Sequence, residues 1–376
     1  MKILITSLFD PTKNYGGGIE SYVLELSMRL SKHYKVEIDV ICSSKFSFSR
    51  KTRFGHIIGI KVPKSDYFGK ANLLIKKFYF NRGLRKYILT NGDSYDIIQV
   101  NGDMGGFKEL KDYNTISVFH GWAATNYKNA NKLYKLLIYL FSVRYEMKNL
   151  LYAKKTVFVA EHIKKSSDKK DGIVIYNGID TKKFKPIKET KIQKLNSYTK
   201  QDTTKTNILF IGKDPKRKGL DIAIKAVEFA NTKVKNKIYL NIIGSNGYIK
   251  SKYAIYLGNV YNNLKIKYLQ ASKIFIFPSR YEGFSIATME ALSCGLSIII
   301  SDKTGVNEIV KNNLNGIIIK NSDFKSYSKS IIELIKDKNK SKHISTNGRK
   351  LALKYDWDNV AFKYYNLYKS LTKRNH

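Results

Sequence analysis

The sequence has very little cysteine and no long hydrophobic run. Its two cysteines, Cys42 and Cys294, allow at most one bridge, which excludes a disulfide framework and favours a reducing cytosol. No apolar stretch approaches the roughly 20 residues of a membrane-spanning helix. The apolar run at the start ends at Asp10 and Pro11, so it is too short for a signal-peptide core and predicts a first strand. We therefore expect a cytoplasmic protein, soluble or peripheral at the inner face of the membrane.

Acidic residues are also scarce, since 30 Asp and Glu stand against 68 Lys and Arg and the net charge is +38. This charge is compatible with a nucleic-acid partner, an anionic membrane surface or an anionic small substrate. A coding bias toward Lys, Asn, Ile and Tyr would produce it without any functional role. The excess is spread along the chain, because residues 1–180 hold 30 Lys and Arg against 16 Asp and Glu. A dedicated basic arm is therefore not expected, and the sequence has no recognised nucleic-acid motif.

What the sequence does contain is an alternation of short apolar strands with helical segments. Strands such as KILITSL, DIIQVNG and TISVFHG end in polar or glycine turns, and Ile19, Val23, Leu26 and Leu30 share one face of a predicted helix. Residues 181–206 are rich in Lys and Thr and interrupt the pattern, which resumes at NILFIG. The fold class is therefore α/β, with two domains of mostly parallel sheet joined by a linker. Because ligands bind at the carboxyl ends of such strands, the strand-end turns are the candidate sites.

The most informative turn lies in SRYEGFSIATMEALSCGLSIII, residues 279–300. Glu282 follows a buried strand, a helix is predicted to start near Ser285, and Glu290 comes about two helical turns later. A carboxylate can accept two hydrogen bonds from a vicinal diol such as ribose or a hexose, and a helix start suits a phosphate. The alternative is that Glu282 caps the helix and Glu290 faces solvent.

Three further turns carry candidate residues. In FIGKDPKRKGL, Gly212 permits close backbone approach, while Lys213 and Lys218 could hold a diphosphate; a solvated lysine loop is the alternative. In NYGGGIESY, three glycines precede a helix, but the pattern lacks the spacing of a nicotinamide-cofactor fingerprint. His120 ends a strand, where it could bond a sugar hydroxyl, shuttle a proton or simply cap the turn. The other histidines show no metal-ligand spacing.

Taken together, these motifs resemble the retaining glycosyltransferases of family 4, which have the GT-B fold of two Rossmann-like domains facing each other across a cleft. The resemblance covers nearly the whole chain, and its most specific part is the pair of glutamates eight residues apart. The resemblance implies an acceptor-side domain of residues 1–178 with a C-terminal helix 358–376, a linker 179–206 and a donor-binding domain 207–357. It also rests on HG at 120, IYNGID and FKP at 175–186, IGKDPKRKG, TGVNEIVKNNLNGIII, and YDW before a final helix.

On the donor side, the resemblance implies that Glu290 holds the ribose and Glu282 the sugar hydroxyls. The backbone of Gly283, Phe284 and Ser285 would lie beside sugar and phosphate. Gly212 would line the same site, with Lys213 and Lys218 neutralising the diphosphate. His120 would contact the sugar near the reacting centre, and Gly17 and Gly18 would line the acceptor side.

Two residues depart from the family pattern. The family usually has Arg where Lys213 stands, so a bidentate phosphate contact is lost. It often has Pro or Gly where Ser285 stands. Both departures leave the identity of the donor open.

The implied reaction moves a sugar from a nucleotide-diphosphate sugar to a glycan or lipid-linked acceptor with retention of configuration, in cell-surface polysaccharide or glycoconjugate synthesis. Positioning and charge stabilisation supply the rate, and neither a metal nor another cofactor is expected. Asp356-Trp357-Asp358 resembles the metal motif of the other large glycosyltransferase fold, but it stands beside the terminal helix, so we interpret Trp357 as packing that helix.

Two basic segments rich in aromatic residues, 67–92 and 131–155, could lie on anionic lipid or could be ordinary core helices. Two other functions stay open. A sugar-nucleotide epimerase of the same fold would bind the same donor but would need further acid-base carboxylates, and a basic nucleic-acid-binding protein would bind DNA in a salt-sensitive way.

Overall fold

The computed structural model describes residues 1–13, 17–63, 72–123, 136, 138–187, 206–260, 262–320 and 323–372. The chain divides into two compact units. Unit 1 contains Met1–Asn177 and Trp357–His376, and unit 2 contains Gly178–Asp356. Residues 179–187 of the predicted linker fall in unit 2, whereas residues 188–205 lie outside the described part of the chain.

Unit 1 is built on an eight-stranded sheet. Its strands are β1 (Lys2–Thr6), β2 (Glu37–Ser44), β3 (Phe48–Lys51), β4 (His56–Lys61), β5 (Ile97–Asn101), β6 (Thr115–Phe119), β7 (Lys155–Phe158) and β8 (Ile173–Val174). They lie in the order β3-β4-β2-β1-β5-β6-β7-β8. The pairs are parallel except for the antiparallel pair β3–β4. β5 and β6 are buried along their whole length, as expected of parallel strands covered on both faces.

Helices of unit 1 cover this sheet. They are α1 (Gly18–Tyr34), α2 (Asn72–Asn91), α3 (Arg144–Tyr152) and α4 (Glu161–Ser166), and a π-helical turn at Tyr139–Val143 leads directly into α3. On the predicted apolar face of α1, Val23, Leu26 and Leu30 are fully buried. Ile19 is only half-buried, because it lies in the first turn of the helix.

Unit 2 is built on a six-stranded parallel sheet in the order β11-β10-β9-β12-β13-β14. Its strands are β9 (Thr206–Ile211), β10 (Ile238–Ile243), β11 (Ala254–Gly258), β12 (Ile274–Phe277), β13 (Ser297–Ser301) and β14 (Ile317–Ile319). Its helices are α5 (Leu220–Asn231), α6 (Asn262–Ala271), α7 (Ile286–Ser293), α8 (Phe324–Lys336) and α9 (Lys338–Lys354). This order makes β9, β12 and β13 direct neighbours, so the turns that follow them meet at one edge of the sheet.

The last helix, α10 (Trp357–Thr372), belongs to unit 1. It packs on α1 through aromatic rings, with the ring of Tyr22 centred 5.8 Å from Trp357 and 5.9 Å from Tyr364. The Tyr368 hydroxyl donates to Gln99 Oε1 of β5 at 2.6 Å. The polypeptide therefore crosses from unit 1 to unit 2 and returns.

The predicted fold class is confirmed, since both units are α/β with mostly parallel sheets. The antiparallel pair β3–β4 and the strand β11 are additional to the strands that the sequence pattern predicts. The predicted strand GIVIYNG is shorter in the structure, where β8 spans Ile173–Val174 and pairs with β7 at the edge of the described sheet.

Candidate functional site

Three strand-end turns of unit 2 meet at Glu282. The residue lies in the turn between β12 and α7, and its backbone is tied to the segment that follows β13. Glu282 N donates to Lys303 O at 3.0 Å, and Gly305 N donates to Glu282 O at 3.2 Å. The turn after β9 joins from the other side, since Arg280 N donates to Arg217 O at 2.8 Å. The backbone position of Glu282 is thus fixed by the neighbouring turns on both sides.

The side chain of Glu282 lies between two cations. Its Oε2 accepts from Arg217 Nη1 at 3.2 Å and forms an ion pair with Lys218 Nζ. Burial, and after it the adjacent Arg217 guanidinium, lower the pKa of Lys218 to about 7, and the Asp214 carboxylate partly opposes that shift. The Lys218 ammonium also lies 5.1 Å from the centre of the Phe277 ring. Two cations and a carboxylate thus lie together in the turn that follows β12.

Glu290 lies in the middle of α7 and is only 5% exposed. Its Oε1 accepts from Lys265 Nζ of α6 at 2.7 Å. The same ammonium lies 5.4 Å from the centre of the Phe184 ring. The alternative of a solvated Glu290 is therefore wrong.

The N-terminus of α7 is capped by Ser285, not by Glu282. Ser285 Oγ accepts from Thr288 N at 3.2 Å and from Thr288 Oγ1 at 2.8 Å. Gly283, Phe284 and Ser285 are all buried. A hydroxyl at the cap satisfies one backbone donor of the first turn, which explains how Ser is accommodated at this position.

The turn after β9 approaches β12 closely. Gly219 has a φ of +72°, and a Cβ there would lie 2.0 Å from Pro278 O, so only glycine fits. Gly212 is buried, with the stem of Lys218 3.0 Å from where its Cβ would be. Lys213 is exposed beside it. The close packing of this turn brings Lys218 against Glu282.

In unit 1, His120 follows β6 and contacts buried polar groups. Its Nε2 lies 3.1 Å from Asn101 Oδ1, and its ring packs edge-on against Tyr22 at 4.5 Å between centroids. Because Asn101 Nδ2 donates to Thr6 O, its Oδ1 is the acceptor and His120 Nε2 is the donor. Burial lowers the pKa of His120 to about 3, so the ring is neutral near pH 7. This favours the hydrogen-bonding role over the proton shuttle.

The glycine loop is described only in part, because residues 14–16 lie outside the described chain. Gly17 precedes α1 with an ordinary extended backbone, φ −85° and ψ 151°, and Gly18 is exposed. A Cβ at Gly17 would overlap the Glu20 carboxylate, 1.9 Å away. Gly17 therefore leaves room for the buried Glu20 side chain.

The structure thus gathers Gly212, Lys218, Glu282, Gly283, Phe284 and Ser285 around neighbouring turns of unit 2, with Glu290 in the helix that follows. Gly17, Gly18 and His120 belong to unit 1. Sequence reasoning missed Arg217, Arg280 and Lys265. The KRK sequence at 216–218 could have indicated Arg217, because it stands next to Lys218. Nothing in the sequence distinguishes Lys265 from the many other lysines of this basic chain.

Two groups of acidic residues resemble metal ligands, and both already have protein partners. Within the described residues, Glu37, Asp39 and His56 are the one group whose ligand atoms lie close enough to share an ion. The Lys2 ammonium already lies 3.4 Å from both carboxylates. In the Asp-x-Asp triplet, Trp357 is buried, Asp356 accepts from Thr181 N at 3.1 Å and Asp358 pairs with Arg29 Nε at 2.9 Å.

Two family models match this chain. One, described as Glycosyltransferase Family 4, matches residues 16–183, and the other, described as Glycosyl transferases group 1, matches residues 191–351. In the part of the chain that the structure describes, the helices are all too short or too polar to span a bilayer.

Similar proteins agree with these family models. An uncharacterised glycosyltransferase of Methanocaldococcus jannaschii, MJ1178, is 24% identical over 99% of both chains. The N,N'-diacetylbacillosaminyl-diphospho-undecaprenol alpha-1,3-N-acetylgalactosaminyltransferase of Campylobacter jejuni is 29% identical over 52% of this chain and 53% of its own. The sucrose-phosphate synthase of Thermosynechococcus elongatus superposes with a TM-score of 0.82 over 100% of both chains at 18% identity, which shows the fold alone. The chain therefore belongs to the family 4 glycosyltransferases of GT-B fold.

Proposed function

We propose that this glycosyltransferase moves a sugar from a nucleotide-diphosphate sugar to a glycan or lipid-linked acceptor, with retention of anomeric configuration. The observation that carries the proposal is the arrangement around the two glutamates. Glu282 and Glu290 each contact a lysine from a different element, Lys218 and Lys265. Carboxylates held in this way are fixed acceptors for vicinal hydroxyls, and the Lys218 ammonium can also donate to a phosphate oxygen.

The donor residues take the following roles in this proposal. Glu290 accepts from the ribose and Glu282 from the sugar hydroxyls. Lys218, with Lys213 nearby in the same turn, neutralises the diphosphate as it leaves. The segment of Gly283, Phe284 and Ser285, which leads into α7, provides backbone N–H groups next to the phosphate. Side-chain cations thus supply the charge stabilisation, and we expect transfer to proceed without added metal.

In unit 1, we propose that neutral His120 bonds a hydroxyl of the donor sugar and that Gly17 and Gly18 line the acceptor side. His120 Nε2 already donates to Asn101, so Nδ1 is the atom that would accept. This role requires no change of protonation near neutral pH, in agreement with the lowered pKa of the ring.

The acceptor class is supported by the named relatives. The Campylobacter jejuni enzyme is named for a diphospho-undecaprenol substrate. A capsular polysaccharide biosynthesis glycosyltransferase of Staphylococcus aureus also matches, at 29% identity over 46% of this chain. We therefore propose a role in cell-surface polysaccharide or glycoconjugate synthesis.

A membrane-proximal acceptor is supported by the surface of unit 1. Half of the large exposed apolar side chains of the described chain fall in residues 72–91 and 136–152. The two segments touch where Phe78 packs edge-on against Phe141, 5.7 Å between centroids. They hold seven Lys and Arg and a single acid, the buried Glu146. The exposed apolar residues are Leu73, Phe78, Tyr79, Leu89, Leu136, Tyr139, Leu140, Met147 and Leu151.

We call these nine side chains and the basic residues among them the basic apolar face. Exposed apolar groups interleaved with cations suit an anionic bilayer, because the apolar groups enter the interface and the cations meet lipid phosphates. Residues 67–71, 131–135 and 137 of the predicted segments lie outside the described chain.

The experiment that tests the function is thermal stabilisation by a panel of UDP-, GDP- and ADP-sugars. We expect one nucleotide to raise the melting temperature of the wild type but not of Glu290→Gln. The matched control is Glu333→Gln, because Glu333 also pairs with a lysine, Lys340 at 2.6 Å, away from the three turns. That variant should keep the full shift.

Two further observations separate the alternatives. An epimerase would convert the stabilising donor without any acceptor, whereas a transferase turns over only when an acceptor is present. Retention is read from the anomeric coupling constant of the product by NMR. DNA binding that weakens with salt, together with no response to any nucleotide sugar, would contradict the proposal.

A further inference from the structure

Two arginines link the turn after β9 to the turn after β12, each from the opposite side. Arg217, in the first turn, donates from Nη1 to Tyr281 O at 3.1 Å and to Glu282 Oε2 at 3.2 Å. Arg280, in the second turn, donates from Nη1 to Lys216 O at 2.5 Å and pairs with both oxygens of Asp221 at 2.8 and 2.7 Å. We call this pair the arginine clasp.

The clasp has a hydrogen-bonded backbone at its centre. Arg217 O accepts from Arg280 N at 2.8 Å and from Ser279 Oγ at 3.2 Å. The Arg217 guanidinium is itself oriented by Asp214, whose Oδ2 accepts from Nε at 3.1 Å. A planar guanidinium held at several donors is a rigid support, which a flexible lysine ammonium cannot reproduce.

The two cations next to Glu282 reach the same oxygen. Arg217 Nη1 and Lys218 Nζ both contact Oε2. Oε1 is therefore the oxygen that can turn to a ligand hydroxyl while Oε2 stays engaged. A carboxylate anchored through one oxygen keeps its orientation when the ligand binds.

We propose that Arg217 is a positioning residue that sets the affinity for the sugar half of the donor through Glu282, with Arg280 supporting the same turn from the other side. This inference rests on the proposed function. It assigns to Arg217 no direct contact with the donor. It predicts that loss of the clasp weakens binding of the nucleotide-diphosphate sugar but not of the bare nucleoside diphosphate, since Glu282 contacts only the sugar in the proposed function.

The test measures the affinity of the nucleotide sugar that stabilises the wild type, and of its nucleoside diphosphate, by calorimetry. In Arg217→Gln, the affinity for the nucleotide sugar should fall about tenfold, whereas that for the nucleoside diphosphate should change less than about twofold. Arg217→Lys should restore only part of the loss, because an ammonium cannot hold Tyr281 O, Glu282 and Asp214 together. Arg280→Gln should also lower the affinity for the nucleotide sugar relative to that for the nucleoside diphosphate, but by a smaller factor than Arg217→Gln.

A double-variant cycle tests whether Arg217 acts through Glu282. Glu282→Gln and Arg217→Gln combined should lose no more affinity than Glu282→Gln alone. Additive losses would show that Arg217 acts independently and would overturn the inference.

The control is Arg349, which also donates to several acceptors within unit 2, namely Thr181 O, Phe184 O and Ser293. Arg349→Gln should lower the melting temperature and leave the ratio of the two affinities unchanged. If Arg217→Gln behaves like Arg349→Gln, the clasp is only structural. If the wild type binds no nucleotide sugar, both the proposed function and the inference fail. If the wild type binds the nucleotide sugar but Arg217→Gln keeps the wild-type ratio of the two affinities, only the inference fails.

Discussion

Lys265 Nζ lies 2.7 Å from Glu290 Oε1, which joins α6 to the buried carboxylate of α7. Their side chains are 19% and 7% exposed. The pair is thus withdrawn from most solvent screening, and removing one partner leaves the other charge poorly solvated. The Lys265 ammonium thus fixes the orientation of the Glu290 carboxylate.

The first prediction follows from that pair. Lys265→Met, Glu290→Gln and the double variant should show a coupling free energy of roughly 1–2 kcal/mol, with the double variant more stable than the sum of the single losses implies. Urea denaturation measures it. Strictly additive losses would mean that the contact does not contribute to stability.

The second prediction concerns pH and Lys218. Since its pKa is lowered to about 7 and the protonated form is the one that binds a diphosphate, kcat/KM for the donor should decline above about pH 7, by about tenfold per pH unit. In Lys218→Arg the guanidinium stays protonated over this range, so kcat/KM should not decline above about pH 7, even if the activity of the variant is lower. Coincident pH profiles for the two proteins would contradict this assignment.

The third prediction concerns His120. Because its pKa is lowered to about 3, the ring should stay neutral from pH 5 to pH 8. NMR of protein labelled with ¹⁵N-histidine should show the signals of one neutral tautomer, with the proton on Nε2, across this range. A titration midpoint near 6.5 would contradict the burial argument and would reopen the proton-shuttle role.

The lowered pKa of His120 also predicts how the free energy of unfolding depends on pH. The folded pKa lies below the unfolded value, so the unfolded chain binds more protons as pH falls below about 6.5. His120 therefore lowers the free energy of unfolding as the pH falls from about 6.5 toward 3. His120→Gln, which keeps an N–H donor, should show a smaller acid destabilisation.

The fourth prediction concerns the basic apolar face. Wild type should sediment with vesicles that contain anionic lipid at low salt and much less with neutral vesicles. Leu151→Gln and Met147→Gln should each weaken binding by about tenfold, because each side chain otherwise enters the lipid interface. Leu353→Gln in unit 2 is the matched control, as Leu353 is also an exposed leucine, and it should bind like the wild type. Absence of binding to anionic vesicles at low salt would remove the membrane proposal.

Much of the fold could be predicted from the sequence, because local pattern decides it. Apolar runs such as KIFIFPS and LSIIISD became β12 and β13, since buried parallel strands need continuous apolar residues. The helical spacing of apolar residues in WDNVAFKYYNLYKSLTK predicts a helix, and the structure has α10 there. The antiparallel β3 was missed because FSRK carries almost no apolar signal, and its pairing depends on β4.

The sequence by itself determined the α/β class, the two glutamates eight residues apart, the lysine turn and the family, since each is a matter of residue type and spacing along the chain. Only the tertiary structure decided which cation contacts which carboxylate. Arg217 meets Glu282, and Lys265 meets Glu290, across 65 and 25 positions of sequence. In a chain with 68 lysines and arginines, no spacing rule selects those partners. They are selected by strand order, which makes β9, β12 and β13 neighbours and so brings the turns after them to one edge of the sheet.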